Sequence, residues 1–328
     1  MNTTRFTVIL LAPMLAGAAE LSQGNLRTAA QKGLELLVKT SPTFIKKGGC
    51  NSCHAQFLPA AAQAFARERG IVAGETIEQL PPEVSETTTE RYIEYSATSA
   101  NSQGYELFAH AAAKRPLDAR IESQIYLIRS FQEPEGYWRT TGNRPPLTYD
   151  DYTTTAYAIH ALKMYTPASQ RADSEARIAR ARSWLLEAKP QLTQERAFQL
   201  LGLAWSGAGR ESLEKAAKSL QAMQRRDGGW SQQAAMPSDA YATGLALWAL
   251  NQGGVSVGQS SYQAGLRYLL DTQAKDGTWH VKARALPVQP YFESGYPYGP
   301  DQWISAAGAA YATMAIAAAV EPERAARR

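Results

Sequence analysis

Three stretches of this chain repeat one pattern: a helix-length run ending in Gln, a short turn carrying Gly, and Trp two residues after that Gly. They are residues 125–132 with Gly136 and Trp138, 217–224 with Gly228 and Trp230, and 267–273 with Gly277 and Trp279. A second helix-length run follows each turn and opens at an acidic residue, Asp151, Asp239 or Asp301. Asp ahead of an apolar run is a good helix N-cap, because its carboxylate accepts from exposed backbone N–H groups. Gln224 and Gln273 lie 49 residues apart and Gln132 and Gln224 lie 92 apart, nearly two such periods. Units of this size stack as helical hairpins, since each needs a neighbour to cover its apolar face.

Eroded copies fill the gaps. Residues 182–189 and 195–205 read as a hairpin whose Gly-x-Trp turn is deleted. Thr87–Glu90 offers a capping box before a candidate helix, and the run from Gly104 through His110 begins its partner. Residues 29–38 and 56–69 form the earliest pair. That makes six hairpins. The second helices are rich in small residues: nine of the fourteen residues from 306 to 319 are Ala, and 239–250 is apolar nearly all round. A helix without a polar face is buried on both sides, whereas first helices such as 211–225 carry many charges and face solvent. The expected fold is all-α, an (α/α)6 toroid of small inner and amphipathic outer helices. Its organisation reads as a leader at 1–19, N-terminal hairpins at 20–116 and repeat hairpins closing one toroid at 117–328.

The Gln-x-x-Asp-Gly-Gly-Trp and Gln-x-x-Asp-Gly-Thr-Trp segments at 224–230 and 273–279 resemble the Gln-Trp repeats of squalene–hopene cyclases, shared in weaker form with protein prenyltransferase β subunits. The resemblance covers roughly residues 117–320. It implies an α/α toroid in which Gln and Trp brace adjacent helices, and an isoprenoid or other apolar ligand. Its activity carries over poorly. Those cyclases protonate substrate from an Asp-x-Asp-Asp motif, and the nearest match is Thr148-Tyr149-Asp150-Asp151, with Thr for the first Asp. The resemblance makes Asp150 the candidate catalytic acid. The competing reading is a pair of helix-capping carboxylates, with Asp151 aligned to Asp239. The zinc ligands of prenyltransferase β subunits come from later repeats, and the two cysteines here are both in the first.

Those cysteines, Cys50 and Cys53, are the only two in 328 residues, and His54 follows directly. Cys-x-x-Cys-His is the attachment pattern for one covalent haem c, with thioethers from both cysteines and His54 as proximal iron ligand. A zinc site needs four ligands, a redox dithiol is expected in a βαβ setting, and a disulfide remains open. Distal candidates are His110, nearest in chain order, then His160, His280, Met164 and Met236. Without a distal ligand, a five-coordinate iron favours small-ligand binding or peroxide chemistry over simple electron transfer.

Haem attachment of this kind needs export, and the N-terminus supplies the signal. A basic start at Arg5, an uncharged apolar run from Phe6 to Ala19 and the small residues Ala16-Gly17-Ala18 read as a cleavable signal peptide. The expectation is a periplasmic or secreted protein with a periplasmic redox partner and no membrane span. The net charge of +4 comes without a basic stripe, which argues against nucleic acid. Among the aromatics of the late half (Tyr149, Tyr152, Trp205, Tyr241, Trp248, Tyr291, Phe292, Tyr296, Tyr298 and Trp303), most are expected to pack the core. The loop 291–300 is the candidate functional rim.

Overall fold

The three repeats at 125–138, 217–230 and 267–279 fold as their pattern dictates, each with an outer helix, a glycine turn and an inner helix. The computed structural model describes residues 21–48, 52–77, 99–142, 144–287 and 290–322. The leader at 1–19, Cys50 and the capping box at Thr87–Glu90 lie outside the described residues. The outer helices are α1 (Gln23–Gly48), α4 (Ala119–Ser130), α6 (Arg171–Glu187), α8 (Arg210–Gln221) and α10 (Ser260–Thr272). The inner ones are α2 (Leu58–Arg67), α3 (Ser99–Ala112), α5 (Asp151–Tyr165), α7 (Thr193–Trp205), α9 (Ala240–Gln252) and α11 (Gln302–Ala319). The six inner helices touch in chain order and α11 returns to α2, so the ring closes as an all-α toroid.

The repeated residues hold neighbouring units together. Gln132 donates to Gly136 O of its own turn and to Arg177 O on the next outer helix, at 2.8 and 2.9 Å. Gln224 does the same to Gly228 O and Ser261 O, both at 2.8 Å. Gln273 donates to Gly277 O and to Ala29 O of α1, both at 2.9 Å, which joins the last repeat to the first helix. The tryptophans anchor the same corners. The indole N–H of Trp138, Trp230 and Trp279 donates to Ile128 O, Leu220 O and Leu269 O. A buried indole needs such a partner, and all three are fully buried. At Gly277 the backbone has φ +88°, and a Cβ would sit 2.5 Å from Lys32 O; only glycine fits there.

Inner helices rich in small residues approach one another closely. A Cβ on Gly244 of α9 would lie 2.4 Å from Ala312 N on α11. Around the ring α5 and α11 stand opposite, yet their Tyr157 and Tyr311 hydroxyls are 2.9 Å apart, so this pair spans the bore. Tyr105 packs on Tyr157 at 4.6 Å and Tyr241 on Tyr311 at 5.4 Å, and all four tyrosines are buried. Phe65 on α2 meets Trp248 on α9 at 4.6 Å, another contact across the interior. Tyr241 and Trp248, read from sequence among the late aromatics, thus fill the centre of the ring. Among the described residues no helix is long and apolar enough to cross a membrane.

Candidate ligand cavity at His54

The chain re-enters the ring from α1 through one π-helical turn, Cys53–Phe57, ahead of α2. Its local bonds are reciprocal. Ser52 Oγ accepts from Ala55 N at 3.0 Å, while Gln56 Oε1 accepts from Ser52 N at 2.8 Å. Gln56 Nε2 donates to Ser41 O on α1 at 2.9 Å, so the turn is pinned to the outer helix. π-turns recur at functional sites because they re-aim the side chains they carry. This one aims His54 inward.

His54 is 3% exposed and lies between aromatic rings, edge-on to Phe44 at 5.0 Å and to Trp303 at 5.9 Å. Burial, aided by the Arg144 charge, pushes its pKa down to about 3, so the imidazole is neutral at physiological pH. One ring nitrogen, Nδ1, is 4.0 Å from Cys53 Sγ. Burial pushes the Cys53 thiol up to about 11, so it stays protonated. Among the described residues Cys53 has no disulfide partner.

His54 forms part of the wall of a cavity of about 230 Å³ at the end of the ring where the inner helices begin. Phe44 of α1 and Trp303 and Ala306 of α11 line its depth. Residues of 283–287 and 290–300 cover it, with Leu286 at 85% and Tyr291 at 54% exposure on the open side. The loop 291–300 expected to form a rim therefore supplies Tyr291, Phe292, Ser294, Tyr296 and Pro300 to the wall. Arg144 completes it. A two-way backbone bridge with Thr148, 3.1 Å in each direction, holds the Arg144 loop, and the guanidinium lies 4.2 Å above the Trp303 ring.

Asp150 stands elsewhere. It is the N-cap of α5 and accepts from Thr153 N at 2.8 Å and from Gln194 Nε2 at 2.5 Å. Tyr241 in turn donates to Gln194 Oε1 at 2.6 Å. Burial raises Asp150 to about 6, and Asp239, the N-cap of α9, is raised to about 6 in the same way. The alignment of Asp151 with the capping Asp239 needs correction. Thr155 and Thr243 do take equivalent bonds from Trp138 N and Trp230 N. The chain nevertheless enters α5 one residue earlier, so Asp150 caps and Asp151 accepts from Thr140 N instead. Asp301 departs too: its carboxylate makes no cap bond, and accepts from Ala283 N and pairs with His280.

The distal candidates are scattered. His110 is buried with its Nε2 3.4 Å from Glu106 Oε1, which Arg120 also holds. His160 packs on Trp205 and Phe108. His280 stacks on Tyr298 beside Asp301, and Met164 is exposed. None of these, nor Met236, lines the His54 cavity. Among the described residues no three His, Cys, Asp or Glu side chains gather as metal ligands. Sequence reading missed Arg144, Phe44 and Gln194; Arg144 lay in an Asn-Arg-Pro-Pro turn whose composition signals only a bend.

A closed ring of six inner helices with outer partners is the fold of terpene cyclase-like toroids. The type II terpene cyclase MstE from Scytonema superposes with a TM-score of 0.55 at 12% identity, over 91% of this chain and 99% of that one. A variant of it in complex with geranylgeranyl dihydroxybenzoate matches at 0.55 and 11% identity, over 91% and 97%. A crystal structure of a protein from Actinoplanes matches at 0.55 and 13%, over 90% and 99%. No family model matches the chain, and no curated protein matches it.

Proposed function

We propose that this chain is a terpene cyclase-like toroid that binds an apolar ligand at the mouth of the ring, against His54. The observation that carries this is a buried, neutral imidazole with no hydrogen-bonding partner among the described residues but a thiol, set in the wall of an aromatic cavity. A buried polar group without a strong partner is costly, and a ligand would supply one. The fold neighbours support an apolar ligand, since one is bound to geranylgeranyl dihydroxybenzoate.

The ligand best matched to the motif is haem c, in a protein exported through its leader. The residues fit such a group in kind. A protonated thiol and a neutral imidazole stand side by side, the walls are aromatic, and the cavity opens past Leu286 and Tyr291. Its 230 Å³ is below the usual ligand-pocket range of about 300–1,000 Å³, so a flat group would extend out through that open side. Cys50 and Cys53 would hold it by thioethers, each S–H adding across a vinyl C=C so that no oxidant is consumed, and His54 would ligate iron. Bound there, it would supply redox or small-ligand chemistry. The chain's own part is to keep His54 unprotonated and its iron-facing side dry. Expression through the export pathway with haem-maturation machinery tests this. The expected result is a Soret band and one covalent haem by mass, both lost in Cys53→Ser. A colourless, unmodified wild-type protein overturns the haem reading.

A second reading, an isoprenoid cyclase with Asp150 as general acid, is favoured by the fold neighbours and by Asp150's pKa near 6, suited to donating a proton near neutrality. It requires the Tyr157–Tyr311 pair to part, because that pair occupies the bore. Incubation with geranylgeranyl substrates and product analysis tests it: cyclised product that disappears in Asp150→Asn supports the role, and product formed equally by that variant excludes it.

A further inference from the structure

We propose that the mouth cavity selects ligands carrying a carboxylate, and that Arg144 is the receptor for it. The inference deepens the reading of this cavity as a ligand site and rests on it. Arg144 is half-buried in the cavity wall, and among the described residues no carboxylate or hydrogen-bond acceptor pairs with its guanidinium. Its contact is the face of Trp303 at 4.2 Å, which orients the planar group without neutralising it. Arg284, on the cover segment, shows the contrast: it donates to Gln232 Oε1 at 3.0 Å, whereas Arg144 has no such acceptor among the described residues.

A cation withdrawn from water without a counter-ion is costly, and such a site gains most from an anion that fits it. The neighbours of Arg144 define the rest of the ligand. Phe44, Phe292, Leu286 and Trp303 offer an apolar surface, and among the described residues no second Arg or Lys lines the cavity. Inorganic anions have no use for such walls. A carboxylate on an apolar body satisfies both halves, because a guanidinium takes a carboxylate through two parallel N–H···O bonds. Two sources share this chemistry: a propionate of a haem attached at Cys53, and the head of a free long-chain or polyprenyl acid.

The experiment uses the full chain made without haem maturation, titrated with dodecanoate and with dodecanol while tryptophan fluorescence is followed. Dodecanoate is expected to bind about ten- to a hundred-fold more tightly than dodecanol, the range of a charged hydrogen-bonded contact. Arg144→Met should erase the difference while dodecanol binding stays, and Arg144→Lys should keep part of it. Equal affinity of wild type for both probes overturns the proposal, as does a preference that survives in a folded Arg144→Met. Should Arg144→Met not fold, a reduced preference in Arg144→Lys, with its single-point charge, bears the test, and an undiminished preference overturns it. Binding of neither probe defeats the cavity reading itself, a different outcome from equal binding. A haem arm separates the sources. In exported, haem-loaded protein Arg144→Met should shift the midpoint potential and leave dodecanoate without effect; dodecanoate that still binds with haem present assigns Arg144 to a free acid.

Discussion

Gln273 reaches two carbonyls at once, one in its own turn and one on α1, and both bonds are partly buried. Gln273→Ala removes both and leaves the acceptors dry, so a loss of about 1–3 kcal/mol is expected in urea unfolding. Gly277→Ala should cost more, because the left-handed backbone and the nearby Lys32 carbonyl both resist a methyl group. A thermal midpoint unchanged by Gly277→Ala would contradict that packing. These residues were legible in the sequence because they recur, and recurrence at a fixed period is visible without coordinates. Arg144 was not. Its interest lies in the acceptor it lacks among the described residues, and what stands around a side chain is a property of the fold. Asp150 and Asp151 show another limit, since which of two adjacent carboxylates caps a helix depends on where the chain turns in.

Among the elements, the π-turn at Cys53–Phe57 carries the site. Sequence reading placed the cysteine motif at a hairpin turn, and the structure makes Cys53 and His54 the opening of the inner helix. The extra residue of a π-turn has no signature in composition, so the inward aim of His54 could not be read beforehand. Gln56 is what holds it. Gln56→Ala should lower stability by about 2 kcal/mol, through lost bonds to Ser52 N and Ser41 O. It should also weaken ligand binding at His54, measurable in the same fluorescence titration; tight binding in a destabilised variant would mean that the turn does not position the histidine. The inner helices give a second prediction at this scale. Gly244→Ala pushes α9 from α11 where backbones touch, and a fall of several degrees in melting temperature is expected.

For the whole molecule, buried titratable groups set opposing responses to pH. His160 is held down to about 4, below its unfolded value of 6.5. The stability it contributes is full above pH 6.5 and is lost as pH falls toward 4. Asp150 and Asp239 are raised to about 6 from 3.8, so theirs is full below pH 3.8 and is lost as pH rises through 6. The two trends oppose each other over the same window. His160→Phe removes one of them. Relative to that variant, wild type should lose stability on acidification from pH 6.5 to 4, with a slope of at most about 1.4 kcal/mol per pH unit. Parallel urea midpoints for the two proteins across that range would show that His160 does not titrate as described. The ring itself was legible as a count of hairpins, but its filled bore was not. Tyr105, Tyr157, Tyr241 and Tyr311 sit in four different repeats, and nothing local announces that they meet.

Trp303, which packs against His54, belongs to the last helix of the ring, and Gln273, which ties the ring to α1, comes only shortly before it. The first turn of the chain is thus sealed by its final one. While the polypeptide is still emerging, His54 has no Trp303 beside it and Arg144 has no ring to lie on. This gives the molecule an order in time: the motif at Cys53 and His54 is open early and enclosed late. A truncation before Gln302 should leave His54 reactive to small histidine-directed reagents that the complete chain resists.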